Sequence, residues 1–292
     1  MEPLLRLDQL EMFAHGLDHA EGIAVAPDGT IYVGGEGGQL YRVTHDDGIE
    51  EVTNTGGWLL GLAADGDGAI YGCDAAKRCV WRIDPASGTV EPFCNGTPER
   101  PLVSPNWGCF DEAGNYYFSD SGEWKGANGL IWVVRPGGRA EVWTEESRDF
   151  PNGMALSADG STLYVLESTP GALVSFPVNG DGTAGLRTVL VDLPGTVPDG
   201  VAVATDGSLV LACYRPDIIY RWREDLGLQV LAHDPEGVFI AAPTNVAFSG
   251  PDRATMVVPN IGRWHLTRFR HPDLQGIPLP LPSGAAIVGG GH

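Results

Sequence analysis

The stretch Asp199-Gly-Val-Ala-Val-Ala-Thr-Asp206-Gly207 joins a run of small and β-branched residues to an Asp-Gly pair. This combination is typical of a short β-strand that ends in a tight turn. Five other segments of the chain show variants of the same pattern, and they begin at Glu21, Leu60, Asn106, Asn152 and Asn245. The chain therefore contains six copies of one unit.

The spacing of the six copies predicts the fold. Subtracting successive starting positions gives 39, 46, 46, 47 and 46 residues, which is the period of a four-stranded propeller blade. Each copy continues with further strand-like segments, such as Ile31-Tyr-Val-Gly and Leu40-Tyr-Arg-Val in the first copy. No stretch shows the sustained apolar spacing of an amphipathic helix. We therefore predict an all-β fold, a six-bladed β-propeller of four-stranded antiparallel blades.

The two ends of the repeat array predict how the ring closes. Residues 7–16 precede the first copy and resemble an outer strand, whereas the last copy ends after three strands, around Leu266-Thr-Arg-Phe. We expect the N-terminal strand to complete the last blade. Residues 1–292 are thus predicted to form a single propeller domain, in which 275–292, rich in Pro, Gly and small residues, form an irregular tail.

Composition and charge limit the classes of function. The chain has 292 residues, 43% of them apolar, so it can bury a large core. Its 38 acidic residues against 18 basic residues give a net charge of -20, which disfavours binding to nucleic acids and to anionic membranes. The sequence shows neither a long apolar run nor the basic start of a signal peptide. We expect a soluble cytoplasmic protein that acts on a small molecule, and no feature of the sequence selects an oligomeric state.

The five cysteines have no CxxC spacing. Their odd number and their spacing argue against a zinc cluster and against a fully paired disulfide framework. Most are expected to be reduced core residues. Cys73 and Cys79 could face each other across a short hairpin, so the possibility that they pair stays open.

Polar residues recur at the first position of the copies. The innermost strand of each propeller blade lines the central channel, so the residues that open these strands converge at one end of the axis. Five of the six are Asp, Glu or Asn; Leu60 is the exception. One interpretation is that they only cap their own backbone where a loop enters a strand. The second interpretation is a divalent cation on the axis, bound by oxygen ligands that favour Ca²⁺ over Mg²⁺, Mn²⁺ or Zn²⁺.

Short motifs around these positions carry a family resemblance. Pro151-Asn152-Gly-Met, Pro198-Asp199-Gly-Val and Pro243-Thr-Asn245-Val-Ala-Phe resemble the family of gluconolactonase, regucalcin (senescence marker protein) and luciferin-regenerating enzyme. The resemblance covers residues 10–270, and it implies a six-bladed propeller with one catalytic divalent cation. It further implies that Glu21, Asn152 and Asp199 are metal ligands, that Asn106 is an adjacent ligand, and that Asp199 is the acid or base.

The sequence departs from the family pattern on the substrate side. Trp107 stands where the family usually has Asp, Gly34-Gly35 stands where Ser-Asp is common, and Arg100 is out of register with an arginine that often contacts sugar hydroxyls. The departures leave the metal ligands in place. They point away from a sugar as the substrate.

Aromatic residues are frequent in the loops expected to surround the axial site. The candidate substrate-binding residues are Trp58, Trp107, Trp124, Tyr214, Asn245 and His19, and Trp264 lies in a comparable loop. Each aromatic residue could instead pack between blades. Together they indicate a substrate with apolar bulk. His19, two residues before Glu21, could serve as a second base or could simply be solvated.

The residues favour a metal-dependent hydrolase of a lactone that is bulkier or more apolar than gluconolactone, with Asp199 as the base. Organophosphate hydrolysis would use the same groups. A biosynthetic cyclisation or condensation would also suit the aromatic loops, and a non-enzymatic binding propeller is a further hypothesis from a different class. No Gly-Xaa-Ser-Xaa-Gly motif is present, so a serine triad is not expected.

Overall fold

The computed structural model describes residues 2–282, and its main elements are six four-stranded antiparallel sheets. Neighbouring sheets contact each other through their inner strands around one axis, which confirms the predicted six-bladed β-propeller. The only helical element among the described residues is a 3-10 turn, Leu7–Gln9. The described part of the chain contains no helix that is long and apolar enough to cross a membrane.

Every blade runs from an inner strand at the axis to an outer strand at the periphery. The inner strands are Ile23–Val25, Leu59–Ala64, Pro105–Phe110, Pro151–Leu156, Val197–Val203 and Ala247–Ser249. The second strands are Ile31–Gly34, Ile70–Asp74, Tyr116–Asp120, Thr162–Glu167, Leu209–Arg215 and Thr255–Pro259. The third strands are Gln39–Val43, Cys79–Asp84, Leu130–Arg135, Ala172–Pro177, Ile218–Arg223 and Leu266–Arg270. The outer strands of blades 1 to 5 are Ile49–Asn54, Thr89–Cys94, Arg139–Thr144, Thr188–Asp192 and Gly227–His233, and a small hairpin, Gly96–Thr97 with Arg100–Pro101, follows blade 2.

The N-terminal strand Glu11–Phe13 is the outer strand of blade 6, as predicted. It is shorter than the predicted segment 7–16, because residues 7–9 form the 3-10 turn instead. The Arg268 guanidinium donates to both carboxylate oxygens of Glu11, at 2.8 and 2.6 Å, and to Asp47 of blade 1 at 2.9 Å. Three segments that are distant in sequence are thus joined where the ring closes.

The blades are held together by apolar side chains. Each of the six interfaces between neighbouring blades has its own buried apolar cluster. Burial of such surface is the main favourable contribution to folding. The interfaces therefore fix how the blades, and the inner strands they carry, lie relative to one another.

Glycine allows neighbouring inner strands to approach closely at the axis. A Cβ atom on Gly153 would lie 2.2 Å from the carbonyl oxygen of Asp199, and one on Gly22 would lie 1.7 Å from that of Leu60. Neither space can hold a side chain. The glycine that directly follows a repeat start thus brings that residue close to its counterpart in the next blade.

The cysteines are all free thiols. In the second hairpin of blade 2, Cys73 lies opposite Val80 and Cys79 lies opposite Asp74. Because side chains alternate between the two faces of a strand, the two thiols are on opposite faces of the sheet. The pairing that the sequence left open is therefore not formed.

The segment 275–282 covers the end of the channel opposite to the repeat starts. It forms no regular strand, and it packs across the blades instead of projecting from them. It hydrogen-bonds to blade 5 through Thr205 N–Gln275 O (2.7 Å) and Ile277 N–Val203 O (3.2 Å), and to blade 2 through Gly66 N–Pro282 O (3.0 Å). A cavity of about 670 Å³ lies above it. The rest of the predicted tail, 283–292, lies outside the described residues.

Replacing Ile277 with Ala is expected to lower the free energy of unfolding by about 2–3 kcal/mol, because Ile277 is buried in the apolar core between blades 4 and 5. Leu279→Ala is the matched control, since this side chain is 61% exposed. The control should change stability by less than about 0.5 kcal/mol. Equal urea-unfolding midpoints for the two variants would show that the segment does not contribute to stability.

Candidate functional site

The structure brings the six repeat starts together at one end of the channel. We call these six residues the axial residues: Glu21, Leu60, Asn106, Asn152, Asp199 and Asn245. A Cβ atom on Gly61 would lie 2.6 Å from the carbonyl oxygen of Asn106, and one on Gly200 would lie 2.6 Å from the Cα atom of Asn245. The side chains of Asn106, Asn152, Asp199 and Asn245 are buried. Polar side chains of four blades therefore share a small, enclosed space.

Glu21 and Asp199 form a pair of neighbouring carboxylates: Asp199 is buried, and Glu21 is partly buried with its Oε2 atom enclosed. Burial raises the pKa of Asp199 well above its ordinary value, the charge of Glu21 raises it further, and a hydrogen bond from Asn152 opposes the rise. Burial likewise raises the pKa of Glu21 to about 8. Trp58 lowers this pKa, and the charge of Glu36 raises it. Among residues 2–282, no lysine or arginine forms an ion pair with either carboxylate. The pair therefore lacks a compensating positive charge from the described protein.

Two acceptor atoms in this space have no hydrogen-bond partner. They are Glu21 Oε2 and Asn152 Oδ1, and both are buried. A buried acceptor without a partner costs about 1–3 kcal/mol, so a water molecule, an ion or a ligand that satisfies it is favoured. Carboxylate and amide oxygens are the ligands that Ca²⁺ prefers. The residues present thus fit a divalent cation, and the uncompensated negative charge of the two carboxylates also favours a cation.

The remaining axial residues differ in what they can contribute. Asn106 is buried at the axial position of blade 3 and adds another amide. Asn245 uses its Oδ1 to accept a hydrogen bond of 2.6 Å from the backbone of Val246, and its Nδ2 has no partner. Asn245 therefore presents a donor, which suits a substrate oxygen better than a cation. Leu60 contributes no polar atom. No group of three or more His, Cys, Asp or Glu that could hold a metal is found among the described residues, and the three axial amides fall outside these residue types.

Trp58 lies beside Glu21, so one predicted substrate-binding residue is in contact with a predicted ligand. Its indole group lowers the pKa of Glu21, although its Nε1 atom has no hydrogen bond of ordinary geometry. The backbone of Trp58 is held by a 2.9 Å bond to Asp74 Oδ1. Trp58 therefore forms the blade 2 side of the site, where Leu60 offers no donor.

Three other predicted aromatic residues lie at the face of the axial residues, Trp124 and Trp264 in loops and Tyr214 near the end of the strand Leu209–Arg215. Trp124 is 51% exposed and contacts Phe150 edge-on, with ring centroids 4.9 Å apart. Trp264 is 65% exposed, and the Arg215 guanidinium lies 4.7 Å above the ring of Tyr214. Exposed apolar groups of this size around a polar site are typical of a ligand-binding rim.

Trp107 is not part of this rim. It is 8% exposed and lies in the apolar core between blades 3 and 4, together with Tyr117 and Met154. A register shift between Pro105 and Trp107 changes the pleat of the strand directly after Asn106, and Ser119 Oγ accepts a 3.1 Å bond from the Trp107 backbone. Trp107 therefore packs between blades 3 and 4 and also lines the central cavity, and its contact with substrate stays a prediction.

His19 is held by acidic neighbours at the edge of the site. Its Nδ1 atom lies 2.8 Å from Asp18 Oδ1 and 3.4 Å from Glu36 Oε2. Asp18 in turn accepts a 2.9 Å bond from Gln39 Nε2. The imidazole thus has a defined orientation, unlike a freely solvated surface histidine.

Sequence reasoning missed a set of buried hydroxyl groups next to the axial residues. Ser119, Ser121 and Ser168 lie at or just after the ends of second strands, and Thr244 directly precedes Asn245. Each donates a hydrogen bond to the backbone of a neighbouring blade. A signal was present, since serine recurs at this place in blades 3 and 4, but a serine at a strand end is too common to be singled out.

Comparison with known proteins identifies the family. Residues 19–261 match the family model described as the SMP-30/Gluconolactonase/LRE-like region, and the chain belongs to this family. It is 27% identical over 187 residues to a gluconolactonase of Zymomonas mobilis, a match that covers 56% of this chain and 51% of that protein. It is also 27% identical over 206 residues to protein strictosidine synthase-like 3 of Arabidopsis thaliana, covering 65% and 50%. The chain thus spans about half the length of these curated relatives.

Solved structures show the same fold. A gluconolactonase from Xanthomonas campestris superposes with a TM-score of 0.78 at 20% identity, covering 90% of this chain and 89% of that chain. Regucalcin from Agrobacterium tumefaciens, described as a calcium-binding protein, superposes with a TM-score of 0.70 at 19% identity, covering 91% and 98%. At such identities the likeness concerns the propeller.

The raised pKa of Glu21 predicts how stability depends on pH in chelator-treated protein. Between its ordinary value of 4.5 and about 8, Glu21 keeps its proton in the folded state and loses it in the unfolded state. Stability should therefore fall as pH rises through this window. Glu21→Gln removes that titration, so urea unfolding should show a flatter pH profile for the variant. Parallel profiles for the two proteins would rule out a raised pKa at Glu21.

Proposed function

We propose that this protein is a divalent-metal-dependent hydrolase of a lactone, with Ca²⁺ as the preferred cation. The observation that carries the proposal is the carboxylate pair of Glu21 and Asp199 with the unpartnered acceptor atoms Glu21 Oε2 and Asn152 Oδ1, in a member of a family that includes gluconolactonases. Such a site needs a cation to balance its charge. The proposal places the protein in the cytoplasm, with a small molecule as its partner.

Each axial residue has a role in this proposal. Glu21, Asn152 and Asp199 would hold the cation, and Asn106 would be at or near bonding distance. A bound cation would supply Lewis-acid stabilisation of the negative charge that develops on the ester carbonyl. Asn245 Nδ2, an unpartnered donor, would bind a substrate oxygen.

Asp199 is the proposed general base, and it takes the proton from the attacking water. One of its carboxylate oxygens must be available for this, because a carboxylate whose two oxygens are both held is a poor base. The Asn152 amide lies beside Asp199 and lowers the pKa of this carboxyl group, opposing the effect of burial. His19 is the only other oriented base at the edge of the site that we identify among the described residues.

The substrate is proposed to be bulkier or more apolar than gluconolactone, because the exposed rings of Trp124 and Trp264 lie in loops at the same face of the propeller as the axial residues. Trp124→Ala should raise KM several-fold for a lactone with a long acyl chain, and should leave kcat for a small lactone nearly unchanged. Leu186→Ala is the control, since Leu186 is 87% exposed on the outer part of blade 4. Equal KM changes for small and large lactones would contradict a role of Trp124 in substrate choice.

The experiment that tests the proposal combines elemental analysis of the purified protein with a lactone panel, assayed with and without chelator. We expect about one divalent cation per chain and lactone turnover that is lost with chelator and restored by Ca²⁺. Turnover of a phosphotriester alone, or of no ester at all, would favour organophosphate hydrolysis, a biosynthetic cyclisation or a binding propeller. Full activity after complete removal of the metal would refute the metal-dependent mechanism.

A further inference from the structure

Hydroxyl groups link neighbouring blades directly beside three axial residues. Ser121 Oγ donates a 2.7 Å hydrogen bond to the carbonyl oxygen of Pro151, the residue before Asn152. Ser168 Oγ donates a 2.7 Å hydrogen bond to the carbonyl oxygen of Pro198, the residue before Asp199. Thr244 Oγ1 donates to the carbonyl oxygen of Glu21 itself at 2.9 Å. All three hydroxyl residues are buried, so water does not compete for these hydrogen bonds.

The three links separate the axial residues into two groups. They are found at Glu21, Asn152 and Asp199. Within residues 2–282, no side-chain hydroxyl donates to the carbonyl of Leu60, Asn106 or Asn245, or of the residue before each. The anchored positions are thus the three whose side chains supply the unpartnered oxygens and the two neighbouring carboxylates. If the links served only to join blades, we would expect them equally at Leu60, Asn106 and Asn245.

Ser168 also determines which end of the Asn152 amide faces the site. A serine hydroxyl has one proton, and that of Ser168 is committed to the Pro198 carbonyl. It can therefore only accept a hydrogen bond from Asn152, and Asn152 Nδ2 lies 3.3 Å from it. With Nδ2 turned toward Ser168, the opposite atom, Oδ1, is the one left buried without a partner.

We propose that Ser168 is a positioning residue of the cation site: it holds Asn152 with Oδ1 toward the axis and anchors the backbone in front of Asp199. The inference rests on the proposed function, since it needs a cation that binds there. Hydrogen-bond partners behind metal ligands contribute about 10- to 100-fold to metal affinity in other proteins. Ser168 is placed to make a contribution of this kind through two ligands at once.

A matched control exists elsewhere in the ring. Thr53 Oγ1 donates to the carbonyl oxygen of Gly88 at 2.9 Å, which links blade 1 to blade 2 through the outer strand of blade 1 and far from the axial residues. Thr53→Val and Ser168→Ala each remove one hydroxyl link between blades. Each should lower the free energy of unfolding of the metal-free protein by about 1 kcal/mol. Only the second should affect the cation.

The test is calorimetric titration of Ca²⁺ alone into chelator-stripped full-length protein. Ser168→Ala should raise the dissociation constant for Ca²⁺ by about 10- to 100-fold. Thr53→Val should change this constant by less than about twofold. Asn152→Asp offers two equivalent acceptor oxygens, so the Ser168→Ala substitution should cost much less affinity in that background. A double-mutant cycle measures this coupling.

The outcomes separate this inference from the function it rests on. If the wild-type protein binds Ca²⁺ and Ser168→Ala binds it equally well, or if the cycle shows no coupling to Asn152, the positioning role is refuted and the metal site stands. If the wild-type protein binds no divalent cation, the metal site itself is refuted, and the positioning role with it. Should Ser168→Ala fold too poorly for titration, Ser168→Cys keeps the volume with a weak donor and is expected to show the same loss of affinity.

Discussion

Asp199→Asn is expected to lower kcat for lactone hydrolysis by about 10²-fold or more at saturating Ca²⁺. The amide has nearly the same size and keeps one oxygen for the cation, but it cannot take a proton from water. The expected loss is therefore in the chemical step, and KM should change much less. Steady-state kinetics at several Ca²⁺ concentrations separate this loss from incomplete metal binding.

Leu60→Asn provides the comparison at the axis. It changes the axial residue that has no polar side chain, and we expect neither cation occupancy nor kcat to fall. A variant Asp199→Asn with wild-type kcat would show that another group removes the proton, and the oriented His19 would be the first to examine. Full metal occupancy in Asp199→Ala would show that the cation is bound elsewhere.

Gly153→Ala is expected to be strongly destabilising. Its methyl group would lie 2.2 Å from the Asp199 carbonyl oxygen and 2.6 Å from Gly200 Cα. Both are backbone atoms, so the overlap can only be relieved by separating blades 4 and 5. We expect a loss of about 3 kcal/mol or more in the free energy of unfolding, together with a weaker cation site because Asn152 and Asp199 move apart.

Gly180→Ala is the control for this substitution. A Cβ atom there has no heavy atom within 4 Å, so the variant should be as stable as the wild-type protein or slightly more stable. Urea unfolding with chelator present measures both changes without a contribution from the cation. Similar stability of the two variants would mean that the inner strands of blades 4 and 5 are not in close contact.

The propeller could be predicted from the sequence because its signals are local and repeated. A strand of small and β-branched residues, an Asp-Gly turn and a second strand lie within about a dozen residues, and this unit recurs six times. The axial residues could be predicted for the same reason, since equivalent positions of a repeat converge on the axis. Closure by Glu11–Phe13 followed from counting strands in the last copy.

The rest depends on contacts between blades that leave no local signal. Trp107 directly follows an axial residue, and only the register shift at that point shows that it lies between blades. The segment 275–282 has no periodic pattern, because its position is set by bonds to residues such as Val203 and Gly66 in other blades. The anchoring role of Ser168 likewise requires the positions of Pro198 and Asn152, which belong to different strands.

The closure through Glu11–Phe13 and Leu266–Arg270 has a consequence for the order of events during synthesis. The ribosome makes Glu11–Phe13 early, but this strand can pair only after Leu266–Arg270 has been made. Until blade 6 has emerged, blade 1 lacks this neighbour, and Glu21 has no partner on its Thr244 side. A nascent chain halted within blade 5 would thus carry finished strands but an open arc. The cation site would come into existence only with the final blade.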